Sequence, residues 1–140
     1  MPTRLNDLRS EMNELEPSEK LEWLIDFAGQ LPEVSPERQQ EALPEACRVQ
    51  ECQTPVHLWV TVVDGQIHLE AHVPRKSPTV RGLVAMVVCG LEGASVADGL
   101  SLPDDMVMYL GLSTVLGMTR QQGFRGVISR IKRELRAATD

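Results

Sequence analysis

Val56-His57-Leu58-Trp59-Val60-Thr61-Val62-Val63-Asp64-Gly65-Gln66-Ile67-His68-Leu69-Glu70-Ala71-His72-Val73 is the stretch that decides the fold. Val56, Leu58, Val60 and Val62 alternate with His57, Trp59, Thr61 and Val63. Beyond Asp64-Gly65, Ile67, Leu69, Ala71 and Val73 alternate with Gln66, His68, Glu70 and His72. A period of two marks a strand with one face buried. Asp-Gly between two such runs is a two-residue hairpin signal, because a type I′ turn needs positive φ at both central positions. With Asp64-Gly65 as the turn, Val62 faces Ile67, Val60 faces Leu69, Leu58 faces Ala71 and Val56 faces Val73. All eight then share one face, so the register is self-consistent. That apolar face needs helices over it. A third short strand is expected through Cys47 to Gln50, which would put Cys52 in a tight loop at the end of the sheet.

Helices are legible on both sides. Upstream, Thr3 is placed to cap a first helix whose stripe is Leu5, Leu8, Met12 and Leu15, ended by Pro17. Ser18 is placed to cap a second, with Leu21, Leu24, Ile25 and Ala28 inward, Trp23 and Phe27 on a neighbouring stripe, and Gly29 at the stop. Pro32 and Pro36 mark a loop, and residues 37–43 are expected to add a helical turn. Downstream, Ser77-Pro78 opens a third helix, apolar on almost every side from Val80 to Leu91, which predicts a buried central element. Gly82 would let it approach a neighbour closely, and Gly93 ends it. Ser95, and then Ser101 or Asp104, are placed to cap two short helical pieces, the second carrying Met106, Val107 and Leu110. The last helix has Thr119 and Gln122 in capping-box spacing and Phe124, Val127, Ile128, Ile131 and Leu135 on one face.

The totals fit one domain over residues 1–140. Aromatic residues are only 4% of the chain, so aliphatic side chains must build the core. Three cysteines, an odd number, and no secretory signal argue against a disulfide framework and for a reducing cytoplasm. No apolar run is long enough to cross a membrane. A net charge of −6 argues against nucleic acid as a partner. The charge is uneven: residues 1–45 carry eleven acids and four bases, residues 120–140 six bases and two acids. Solvated helix faces are the plain reading of that asymmetry, and a charged docking surface for a protein the sharper one.

Chemistry concentrates at Arg48-Val49-Gln50-Glu51-Cys52-Gln53-Thr54. Cys52 has acid, amide and hydroxyl neighbours, so a loop thiol reachable from outside is expected, the first requirement of a reactive cysteine. Cys89, within Met86-Val87-Val88-Cys89, reads as core. Cys47, Cys52 and His57 are spaced C-x4-C-x4-H, and His72 faces His57 in the hairpin register, so a zinc-binding or scaffold module is the alternative, on a looser spacing than structural zinc sites use. Without a placed base, Cys52 as a hydrolase nucleophile ranks last: His57 lies about 16 Å further along an extended strand. No phosphate-binding glycine loop or nucleophile elbow is present.

Taken together, the motifs resemble the SufE family of sulfur-acceptor proteins, including its CsdE branch. The resemblance rests on Trp23-Leu24-Ile25 through Leu31-Pro32, Arg48 to Thr54, the Asp64-Gly65 hairpin, Arg81-Gly82-Leu83, Leu110-Gly111-Leu112-Ser113 and Arg120-Gln121-Gln122-Gly123-Phe124. It covers nearly the whole chain, and the order and spacing of the pieces are specific. It implies an α+β fold with a three-stranded antiparallel sheet covered by helices, like the iron–sulfur scaffold proteins. It also implies a job: a pyridoxal-phosphate cysteine desulfurase of the SufS or CsdA type holds sulfur as a persulfide, and the acceptor's loop cysteine takes it, stimulates the desulfurase and relays the sulfur to an iron–sulfur scaffold. The matching position here is Cys52, with Glu51, Gln53, Thr54 and Arg120 as loop or partner contacts and with no cofactor or metal on this chain, which would be a monomer or homodimer. Glu51 stands where the family usually has glycine, and Gln122 where it commonly has asparagine. Glutamate does not adopt positive φ cheaply, so a different loop shape is expected, and its charge disfavours a neighbouring thiolate.

Overall fold

The computed structural model describes residues 2–39 and 42–139. Among these, six α-helices surround one hairpin: α1 (Thr3–Asn13), α2 (Pro17–Phe27), β1 (His57–Val63), β2 (Gln66–His72), α3 (Pro78–Leu91), α4 (Val96–Leu100), α5 (Met106–Tyr109) and α6 (Met118–Thr139). Short 3₁₀ turns at Ala28–Gln30, Pro36–Arg38 and Glu45–Cys47 connect α2 to the hairpin. The helical turn expected over 37–43 is thus a 3₁₀ turn at its start; residues 40 and 41 lie outside the described residues.

The hairpin has the expected register, with Val62 opposite Ile67, Val60 opposite Leu69 and Leu58 opposite Ala71. Asp64 and Gly65 both take positive φ, 52° and 77°, as a type I′ turn demands. Leu58, Ile67, Leu69 and Ala71 are buried, while Val60 and Val62 are half-buried against the same core.

The expected third strand is not formed: among the described residues the sheet has two strands. Arg48 pairs with His57 as a single bridge, with Val49 N–H donating to the Val56 carbonyl at 2.9 Å. The cause is local. The Glu45–Cys47 turn ends just before this bridge, and the chain turns again immediately after it, where Cys52 N–H reaches back to the Val49 carbonyl. The other edge is closed similarly by a bridge between Gln66 and Ser95.

α3 is the central element, buried along almost its whole length. It packs against α1 and α2 on one side and against β2 and α6 on others. A Cβ on Gly82 would lie 2.0 Å from the Leu24 carbonyl oxygen, and one on Gly90 2.8 Å from the Leu5 side chain. Two glycines eight residues apart share a helix face, and that face carries both close helix crossings. Arg81 is buried and donates to the carbonyls of Val73 at 2.7 Å and Ala28 at 3.3 Å, tying α3 to the ends of β2 and α2.

Several caps differ from expectation by a residue or two. Pro2, not Thr3, is the N-cap of α1. In α2 the N-cap is Glu16, whose N–H donates to the Glu19 carboxylate at 2.9 Å, and Ser18 lies inside the helix. Proline at the first helical position needs no donor partner, so Pro17 starts α2 rather than merely ending α1. Ile25 is 42% exposed rather than inward. Ser95 caps α4 as expected, but Asp105, not Ser101 or Asp104, caps α5. The Thr119–Gln122 capping box is absent because α6 already begins at Met118. Buried Gln121 instead ties the first turn to the preceding loop, donating to the Leu116 and Ser113 carbonyls.

Candidate functional site

The loop carrying Cys52 leaves the Glu45–Cys47 turn and returns into β1. Val49 and Val56, both buried, pin its neck, and Val56 N–H donates to the Thr54 carbonyl at 2.8 Å. Between them Gln50, Glu51, Gln53 and Pro55 are exposed and Thr54 is half-buried. Cys52 alone turns inward. The expectation of an accessible thiol is therefore corrected: Cys52 is 6% exposed and belongs to the apolar core. Its sulfur enters a narrow cavity between α3 and α6, lined by Val80, Leu83, Val84, Phe124 and Val127, with Arg120 at its edge. A neutral thiol behaves as a small hydrophobe, so this burial is favourable while its polar neighbours stay in water.

Room for the sulfur comes from Gly123. A Cβ there would lie 2.9 Å from Cys52 Sγ and 3.4 Å from its Cα. One turn along α6, a Cβ on Gly126 would lie 2.5 Å from Glu51 Cβ and 3.1 Å from its Cγ and Cδ. Glu51 thus lies across the bare backbone of α6. Among the described residues Asp64 is the one non-glycine with positive φ, so Glu51 keeps an ordinary backbone and the loop is accommodated from the helix side.

Burial raises the Cys52 thiol pKa above its ordinary value. A backbone hydrogen bond from Thr54 and the Arg48 charge oppose this, and Glu51 adds a smaller upward push. In this closed position the sulfur is a protonated thiol at neutral pH, a poor nucleophile.

The other expected site residues gather close by. Gln53, Thr54 and Arg120 border an open groove of about 540 Å³, with Lys76 and Ser77 before α3 and Met118 on the first turn of α6. Arg120 is exposed and borders both the groove and the sulfur cavity.

The three cysteines are free. Cys47 is half-buried in its turn. Cys89 is also half-buried rather than core, because it sits in the last turn of α3, with its thiol 3.6 Å from the Gln30 carbonyl. Cys47, Cys52 and His57 do not converge as the zinc alternative requires. Among the described residues no three His, Cys, Asp or Glu side chains stand close enough to share a metal ion. His57 and His72 do face each other, but His57 is buried, not on a wet face, and its Nδ1 has no hydrogen-bond partner among the described residues.

Sequence reasoning missed Gly126 and Arg130, and quoted Gly123 in a motif without giving it a role. Arg130 spans from α6 to the base of the loop, donating to the Ala46 carbonyl at 2.6 Å and the Arg48 carbonyl at 3.2 Å. The available signal was a pair of glycines three apart inside an otherwise strong helix, where each costs about 1 kcal/mol relative to alanine unless something packs there.

A hairpin roofed by helices, with one loop cysteine tucked between two of them, defines a small α+β domain. The chain belongs to the SufE family: residues 6–135 match the family described as the Fe–S metabolism associated domain. It is 32% identical over 139 residues to uncharacterized SufE-like proteins from two strains of Mycobacterium tuberculosis, covering 99% of this chain and 95% of theirs. The solution structure of a hypothetical protein from Thermus thermophilus superposes with a TM-score of 0.84 at 27% identity, covering 99% of this chain and 98% of that one. The protein is accordingly associated with iron–sulfur metabolism.

Proposed function

We propose that this protein is a sulfur acceptor. A pyridoxal-phosphate cysteine desulfurase passes persulfide sulfur to Cys52, and the loaded protein delivers it to iron–sulfur cluster assembly. The observation that carries this is a free thiol on a short loop whose neck is pinned at Val49 and Val56. Family membership supplies the metabolic setting.

The chemistry needs nothing else on this chain. Cys52 thiolate attacks the outer sulfur of the partner's persulfide. A new S–S bond forms to Cys52, the partner's S–S bond breaks, and the partner's cysteine leaves as a thiolate. The persulfide proton travels with the transferred sulfur, so atoms, charge and redox state balance without an oxidant. Cys52 is unreactive where it lies, so the loop must turn outward about its neck, bringing the sulfur into water and its pKa back toward the ordinary range. Glu51, Gln53 and Thr54 travel with it, and exposed Arg120 borders the path it leaves by. Taking sulfur from the desulfurase would also free that enzyme for another turnover, which is how an acceptor stimulates it.

Incubation with a cysteine desulfurase and cysteine, followed by peptide mass spectrometry, tests this. One added sulfur, about 32 Da, is expected on Cys52, lost in Cys52→Ser and kept in Cys47→Ser and Cys89→Ser, by the exchange chemistry above. Sulfur found on Cys47 or Cys89 instead rejects the assignment.

A further inference from the structure

We propose that Gly123 and Gly126 form a seat on α6 for the Cys52 loop, and that the contact of Glu51 with Gly126 acts as a latch setting how often the thiol is released. Two adjacent loop residues meet two glycines one helical turn apart. Cys52 fills the space a side chain on Gly123 would need, at 2.9 Å, and Glu51 fills the space over Gly126, at 2.5 Å. Real Cβ atoms do not approach other atoms so closely, so any side chain at either position displaces the loop. Both glycines lie well inside the 22-residue α6, where alanine is intrinsically better. The loop contacts are what give glycine an advantage there. Glu51 is exposed and comes nearest to the seat through its Cβ, the aliphatic start of its side chain. The latch therefore holds by packing, and its release needs no broken buried ion pair.

The latch deepens the reading of Cys52 as the acceptor and rests on it for its purpose, but its test needs no desulfurase. In the full chain carrying Cys47→Ser and Cys89→Ser, the rate of alkylation of Cys52 by iodoacetamide at neutral pH reports how often the loop is open. Gly126→Ala should speed alkylation about tenfold, the effect of overpacking a closed contact, with the thermal midpoint nearly held because alanine's advantage in the helix offsets most of that loss. Glu51→Gly should also speed it. In the Glu51→Gly background, Gly126→Ala should then add nothing, because the atoms it collides with are gone. Gly123→Ala should speed alkylation in both backgrounds, since its collision is with Cys52 itself. A wild-type rate for Gly126→Ala, or an equal acceleration with and without Glu51, overturns the latch. A latch that passes while Cys52 takes no sulfur overturns the proposed function alone.

Discussion

Arg130, on α6, donates a hydrogen bond from Nη1 to the main-chain carbonyl of Arg48 at 3.2 Å. The same guanidinium reaches the Ala46 carbonyl and pairs with Glu134 along the helix. One side chain thus ties the start of the Cys52 loop to α6. The excess positive charge of residues 120–140 is in good part used inside the molecule: Arg125 pairs with Asp105, and buried Lys132 binds Asp104 and the Leu102 carbonyl.

Arg130→Ala should destabilise the protein by about 1–2 kcal/mol, the cost of leaving a partly buried carbonyl without its charged donor. It should also raise the alkylation rate of Cys52. Arg130→Lys should recover only part of each effect, because a single ammonium nitrogen does not reproduce the two separate guanidinium nitrogens that reach the Arg48 and Ala46 carbonyls. Urea denaturation and iodoacetamide kinetics on the same samples check both.

Gly82→Ala should be the more damaging of two glycine replacements. Its Cβ would lie 2.0 Å from backbone oxygen of α2, which cannot yield without parting two helices. A loss of about 3 kcal/mol or more is expected. Gly29→Ala meets nothing within 4 Å and should change stability by less than about 0.5 kcal/mol. Thermal melts of the two variants side by side decide it.

Cys52 makes stability pH-dependent on the alkaline side. Its pKa is raised in the folded protein, chiefly by burial. A raised folded pKa means the stabilisation is fully present below the unfolded value, about 8.5, and is lost as pH rises through the folded value. Wild type should therefore lose stability relative to Cys52→Ser above about pH 8.5, with loop opening promoted by the same deprotonation. Denaturation of both proteins at neutral and alkaline pH is the measurement.

His57 works on the acid side. Its pKa is lowered by burial first, then by His72 across the hairpin and by Arg48, against smaller raising effects of Pro55 and Glu45. A lowered folded pKa means the unfolded chain binds the proton first. Stability is kept above the unfolded value, about 6.5, and falls as pH drops below it. His57→Phe should flatten this acid loss, visible as a smaller drop in melting temperature between about pH 7.5 and pH 5, on the order of a few degrees.

The hairpin was legible because strict alternation around Asp64-Gly65 admits one register. The central helix was legible because an apolar surface on all sides leaves no choice but burial. Helix starts were read less well: Ser18 and Thr119 are good capping residues, but the helices begin earlier, at Pro17 and Met118. Those boundaries depend on which backbone groups find partners in three dimensions, as the Leu116 carbonyl accepting from the Gln121 side chain shows. The third strand failed for a similar reason. Its residue types allowed pairing beside β1, and the turns on either side of Arg48 stopped it after one bridge.

The amino-acid sequence by itself determined the α+β pattern, the family, and Cys52 as the cysteine set apart from its fellows, because periodicity, motif order and local polarity are properties of neighbours along the chain. Only the tertiary structure decided which way that cysteine points. Polar neighbours argued for exposure, but the direction of a side chain depends on what faces it, and here two glycines far downstream leave a hollow that a sulfur atom and a glutamate stem fill. Distance along the chain hides such a fit, since close packing is settled by shapes that meet only after folding.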